Sequence, residues 1–277
     1  MLKRLPISLV VALAFLVTAC DVELDASDPR PPISPGSTVH GLIEWDPSMT
    51  STLNILFVPD DSYGDLSVQA NLQGFFDDIE EVIEEGYWQN NAYYVNLVRF
   101  NYYYITESGS AAPPTSGICP NVTWPAEVDT DGAFADLVLL LHPNPLRDCR
   151  WGRKATSEPT SYRTVVHEST HALFNIPDEY CCDGGYYSAP PVLYTSQAAC
   201  TSDAANAAWR NCQSFMASNG TTWWRSEDSI TDIMSGAGST VLEAGPADWA
   251  IMESVLDALG GSGTPSVFAP AAWDHTP

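Results

Sequence analysis

The chain has 277 residues, 45% of them hydrophobic, and sets 11 Lys and Arg against 35 Asp and Glu, a formal net charge of −24. The apolar share is ample for the core of one domain or of two tightly packed lobes. The negative field repels phosphate backbones, which excludes nucleic acid as a partner class.

Lys3 and Arg4 open the chain, and Leu9 to Val17 follow as an apolar run. That run is shorter than the ~20 residues that span a bilayer, so it reads as a signal segment. Leu16-Val17-Thr18-Ala19-Cys20 resembles a bacterial lipobox. The resemblance implies a lipoprotein signal peptide over 1–19 and a lipid on the Cys20 thiol, which would make a membrane surface one partner. A plain secretory signal cut near Ala19 is the alternative. Asp28-Pro29-Arg30-Pro31-Pro32 and Pro35-Gly36 mark residues 20–38 as an extended tether. The catalytic domain is expected over 39–262 and a tail over 263–277.

Within the domain, 39–46 and 53–58 read as strands. From Leu66 to Tyr87, the apolar residues Leu72, Phe75, Phe76, Ile79, Val82 and Ile83 recur at helical spacing. Tyr93 to Ile105 is aromatic and reads as β structure. Asp136 to Leu141 reads as a buried strand and Cys149 to Thr156 as an edge strand. Ser157-Glu158-Pro159 reads as a helix start. A short helix is expected over Asp203 to Ala217 and a last one over Pro246 to Leu259.

The helix after the edge strand carries His167-Glu168-Ser169-Thr170-His171. Residues four apart lie on one helix face, so both imidazoles can reach one ion. Zinc accepts His nitrogens at about 2.0–2.1 Å and in catalytic sites takes three protein ligands plus a water. Glu168 sits beside that water's place, where a carboxylate can act as the base. The bland alternative is an amphipathic helix with two polar-face histidines, but Val165, Val166, Leu173 and Phe174 flank the motif with core residues. Asn175 tolerates the left-handed conformation and reads as the helix stop. The chain can then turn back, and Asp178 and Glu179 are both candidate third ligands.

His167 to Tyr180, HESTHALFNIPDEY, resembles the active-site segment of the IgA-peptidase-type metallopeptidases. The zinc motif is also similar to that of the small metzincin snapalysin. Asp232-Ile233-Met234-Ser235-Gly236 resembles the metzincin Met-turn, with Met234 as its methionine. The run Leu53 to Tyr63 is similar to the first strand and Asp-x-Tyr turn of the IgA-peptidase type. These resemblances imply a two-lobed α/β (α+β) zinc peptidase with a mixed sheet. Asp178 is favoured over Glu179 because snapalysin takes an Asp from a comparable segment. The sequence departs from the common metzincin pattern, with Pro177 where the usual third ligand stands. Tyr180 or Tyr194 is the candidate oxyanion stabiliser, as a Tyr is in some metzincins. The edge strand would pair with an extended substrate.

Setting Cys20 aside leaves Cys119, Cys149, Cys181, Cys182, Cys200 and Cys212, enough for three disulfides in an exported protein. Cys119–Cys149 is one candidate pair. The other four cluster after the zinc helix and are expected to staple the loop that carries the third ligand. Glu127, Asp129, Asp131 and Asp136 around Gly132 form a weaker candidate calcium site without EF-hand spacing. His40, His142 and His275 read as structural. The expected function is a zinc endopeptidase of the bacterial cell envelope, lipid-anchored and exported, acting on protein or peptide. A zinc amidase acting on an amide such as that of peptidoglycan, or a non-catalytic surface-binding protein, are the alternatives.

Overall fold

The computed structural model describes residues 38–45, 51–180, 186–203, 211–227, 232–235 and 242–259. The signal peptide, Cys20, nearly all of the tether, the tail, Cys181, Cys182, Gly236 and His275 lie outside the described residues. Among the described residues there are eleven strands: β1 (Val39–Ile43), β2 (Leu53–Pro59), β3 (Phe100–Ile105), β4 (Ser110–Ala112), β5 (Asn121–Thr123), β6 (Leu137–Leu141), β7 (Cys149–Trp151), β8 (Lys154–Ser157), β9 (Leu193–Tyr194), β10 (Asn211–Met216) and β11 (Thr222–Glu227). The α-helices among the described residues are α1 (Gln69–Glu81), α2 (Asn91–Val95), α3 (Tyr162–Phe174), α4 (Gln197–Ser202) and α5 (Pro246–Ala258).

Six strands form one mixed sheet in the order β1-β3-β2-β6-β8-β7. The inner four run parallel, and the outer two, β1 and β7, pair antiparallel to their neighbours. Strands β2, β3 and β6 are buried at every position. Parallel strands covered on both faces show no wet side, which is why they read as unbroken apolar runs. Successive side chains still go to opposite faces. Ile55, Phe57, Leu137 and Leu139 face the helical core, whereas Leu56, Val58, Val138 and Leu140 face a second, smaller core. The fold is thus mixed α/β around a mixed sheet, as expected.

Helix α1 presents Phe75, Phe76 and Ile79 to the sheet, and a wider turn over Val82–Gly86 continues the stripe with Val82 and Ile83. Each such fully buried side chain contributes about 1.5–3 kcal/mol. A tight turn, Tyr87–Gln89, closes this segment.

Three boundaries differ from the sequence reading. Tyr93 to Ile105 is not one β segment. Asn90 caps α2 by accepting from the backbone N–H groups of Ala92 (2.9 Å) and Tyr93 (3.2 Å), and β3 begins only at Phe100. An Asn cap satisfies donors that would otherwise be orphaned, and here it outweighs the β preference of the aromatics. Helix α3 starts at Tyr162 after Ser161, because Ser157 is still hydrogen-bonded into β8. Of the helix expected over Asp203 to Ala217, residues 204–210 lie outside the described residues, and 211–216 instead form β10, paired antiparallel with β11 through a turn that includes Asn219-Gly220. Gly220 has φ +82°, a conformation that favours glycine, and Asn219 accepts from the Thr221 N–H.

Cys149 to Thr156 is a hairpin, β7 and β8 turning at Gly152, and β7 is the edge of the sheet. Cys149 is disulfide-bonded to Cys119 as expected, and Cys200 pairs with Cys212. Both bonds fit an oxidising compartment. No described helix is long and apolar enough to cross a membrane.

Candidate metal centre

Helix α3 buries Val165, Val166, Ser169, Thr170, Leu173 and Phe174 against the core. Two of these are polar, and both are answered. Ser169 Oγ donates to the Val165 carbonyl at 2.6 Å and Thr170 Oγ1 to the Val166 carbonyl at 2.7 Å. Ser169 has then used its only proton, so the Tyr87 hydroxyl, 2.7 Å away, donates to it. Tyr93 reaches Thr170 in the same way at 3.4 Å. The helix is therefore pinned from behind by two buried tyrosines of the α1–α2 region.

The front of α3 carries His167 and His171, with ring centroids 4.6 Å apart. Asn175 ends the helix at φ 53° and ψ 43°, and its N–H donates to the His171 carbonyl at 3.1 Å. That left-handed residue turns the chain back and delivers Asp178 to the histidines. The Glu179 N–H, donating to the Met234 carbonyl at 3.1 Å, anchors the returning segment.

His167 gives its Nδ1 to the Ile233 carbonyl at 2.8 Å, and His171 gives its Nδ1 to the Ile176 carbonyl at 2.5 Å. A carbonyl only accepts, so each Nδ1 carries the proton and each Nε2 presents a lone pair. The two Nε2 atoms are 3.1 Å apart, and Asp178 Oδ1 lies 3.2 Å from one and 3.3 Å from the other. Three acceptor atoms thus converge with no donor of their own among them. A tetrahedral ion with ligands at about 2.0–2.1 Å would space its ligand atoms about 3.3–3.4 Å apart. A metal ion fits here. Among the described residues these three are the group of His, Cys, Asp and Glu side chains arranged to hold one.

The group attracts positive charge strongly enough to move its own titrations. Burial alone would raise the Asp178 pKa, but the two imidazoles beside it, His167 and His171, outweigh burial and hold the carboxyl well below the usual range. Burial alone would lower His171, yet Asp178, Glu168 and the Ile176 carbonyl push it up.

Around the group lies a cavity of about 190 Å³. Its lining includes Glu168, Tyr180, Tyr187, Arg147, Asp148, Arg150 and the Cys119–Cys149 disulfide. Burial raises the Glu168 pKa, His167 and His171 pull it back, and Asp178 pushes it further up, for a net rise. Burial likewise raises Asp148 to about 7, against the lowering effect of hydrogen bonds from the Glu158 N–H and Ser157. Asp148 also lies 3.6 Å from His142 Nε2, beyond hydrogen-bond distance.

The structure brings together His167, Glu168, His171, Asp178 and Tyr180, all expected from sequence. Glu179 is buried beside them but is not part of the three-atom group. Tyr194 is separate: its hydroxyl donates to Asp203 at 2.9 Å, and it does not line the cavity. Met234 is fully buried in the main core. Its turn is locked by Asp232, which accepts from the Met234 N–H at 3.0 Å, and by Ser235, which accepts from the Asp232 N–H at 2.8 Å.

Among the described residues the acids named for calcium, Glu127, Asp129, Asp131 and Asp136, form no group arranged to hold an ion. Asp129 accepts from Arg153 and Lys154, Asp131 from the Thr38 N–H, and Asp136 from the Asn54 N–H. These carboxylates are spent on separate protein donors. His40 stacks on Tyr104 and His142 bonds the Asn144 carbonyl, so both are structural as expected.

Sequence reasoning missed the carbonyls of Ile233 and Ile176, which carry no side-chain signal. It also missed Tyr187, Asp148 and the two arginines. Arg147, Asp148 and Arg150 were findable, because they flank Cys149 at the start of the edge strand expected just before the two-histidine helix.

No protein-family model matches the chain, and no curated protein matches it.

Proposed function

We propose that the chain is a zinc endopeptidase of metzincin-like, two-lobed architecture, exported and held at the cell envelope through Cys20. The observation that carries this reading is the convergence of His167 Nε2, His171 Nε2 and Asp178 Oδ1, at 3.1–3.3 Å, in a cavity that also holds the Glu168 carboxyl. Two imidazoles and one carboxylate are the donor set that zinc takes in hydrolytic sites, with the fourth position open. When bound there, zinc supplies Lewis-acid chemistry, polarising a carbonyl and acidifying a water to a pKa near 7.

The chain's own residues do the rest. The carbonyls of Ile233 and Ile176 accept the Nδ1 protons and so fix the imidazoles, as backbone carbonyls commonly do for metal-binding histidines. Glu168 takes the proton from the attacking water and passes it to the leaving amine. It lines the same cavity as the three converging atoms, which places it for both halves of that transfer. Tyr180, which lines the cavity, is the candidate donor to the developing oxyanion. Export is supported by the signal-like amino terminus and by the two disulfides. The support for a Met-turn is that the Ile233 carbonyl next to Met234 holds His167.

The test is a paired measurement on zinc-loaded protein. Wild type is expected to cut peptides, to lose that activity to a chelator and to regain it with zinc. Glu168→Gln is expected to keep zinc and lose turnover by about 10²–10⁴-fold. A Glu168→Gln variant without bound zinc, or with unchanged turnover, would contradict Glu168 as the base.

A further inference from the structure

Positive charge is scarce in this chain, so where it is placed is informative. Most described cations are tied to the protein's own acceptors. Arg153 and Lys154 hold Asp129, Arg163 donates to the Ile233 carbonyl, Arg225 to the carbonyls of Glu179 and Ser235, and Arg99 to that of Ser51. Two further arginines, Arg147 and Arg150, line the metal cavity. Arg150 is the better defined. Its Nε donates to the Gly152 carbonyl at 2.9 Å, which orients the guanidinium and leaves its paired Nη groups for another acceptor. Its charge is felt by the Glu168 carboxyl and by the Tyr187 hydroxyl, both on the cavity wall.

Arg150 is also the middle residue of β7, the edge strand of the sheet, where it pairs with Ala155 on its inner side. An extended peptide added to the outer side would run past the cavity, with alternate side chains directed to each face. One of them would come to Arg150.

We propose that this site selects peptides with an acidic side chain, whose carboxylate seats on the guanidinium of Arg150 beside the metal-ligand group. This rests on the peptidase reading. Arg offers a planar fork that matches a carboxylate two-to-two, which gives direction as well as charge. The net negative charge of the chain opposes acidic peptides at long range, so the selection acts at contact and not by steering.

The experiment is cleavage of a C-terminally amidated peptide library by zinc-loaded protein, with cut sites read by mass spectrometry. Asp or Glu is expected at one fixed position relative to the cut, and the amide caps exclude the chain-end carboxylate as its source. Arg150→Gln should lower the acidic-over-neutral selectivity ratio by about 10–100-fold, and Arg150→Lys should retain part of it. Arg150→Glu should turn the preference toward Lys and Arg. Binding of an acidic peptide and its amide analogue to zinc-loaded Glu168→Gln protein gives a readout without turnover, and the acidic peptide should bind more tightly. Cleavage without an acidic position, or with one unmoved by Arg150→Gln, overturns this proposal and leaves the peptidase intact. Cleavage of no peptide at all overturns both.

Discussion

Two stretches of this chain are rich in metal-competent side chains, and they resolve their charge in opposite ways. Around Gly132, Asp129, Asp131 and Asp136 each meet a donor supplied by the protein. At α3, His167, His171 and Asp178 turn lone pairs toward one point, and their remaining protons are given away to the carbonyls of Ile233 and Ile176. The difference teaches that the number of acids does not make a cation site. What makes one is convergence of acceptors whose donors have been committed elsewhere. Asp148 is a third case: burial leaves it to a proton, which it holds up to about pH 7.

The largest effect is expected from breaking the convergence itself. Asp178→Ala removes one of three ligand atoms and should weaken zinc binding by more than about 100-fold. Glu179→Ala leaves the three atoms in place and should cost about 10–100-fold at most. Zinc titration of the two variants side by side decides between them; weaker binding by Glu179→Ala than by Asp178→Ala would move the ligand role.

A smaller effect sharpens the contrast with Asp148. Its folded pKa of about 7 stands above the ordinary 3.8, so the folded state binds the proton more tightly than the unfolded state. Stability is then lost as pH rises from about 4 to about 7, and no more is lost beyond. Asp148→Asn removes that loss. In metal-free protein the variant's advantage in urea unfolding should grow between those pH values and level off above them. At about 1.4 kcal/mol per tenfold, it is capped at about 4 kcal/mol. A pH-independent difference would contradict the buried, proton-holding state.

The centre of the fold was legible because β2, β3 and β6 are unbroken apolar runs and α1 keeps a helical stripe. The α2 boundary was not. Asn90, a single capping residue, decides it against the aromatic content of the segment. The β10–β11 hairpin was missed for a similar reason, since its turn signal is only Asn219-Gly220, within a loop closed between Ala217 and Thr221, set against an Ala-rich stretch. At the site, side-chain ligands were legible from spacing, because an i, i+4 pair and a left-handed Asn both have a sequence signature. The carbonyls that fix the imidazoles have none. Ile233 reaches His167 only because the turn around Met234 folds against α3. Around Gly132 the sequence shows the carboxylates but not Thr38, Asn54, Arg153 and Lys154, which come to meet three of them.

Metal stoichiometry of the purified, disulfide-bonded protein tests the central claim most directly. Titration with zinc and with calcium, each followed by metal analysis after gel filtration, should give about one zinc per chain and no retained calcium. The zinc should be lost on His171→Ala. Wild-type protein that retains no zinc, or whose zinc survives His171→Ala, would contradict the account.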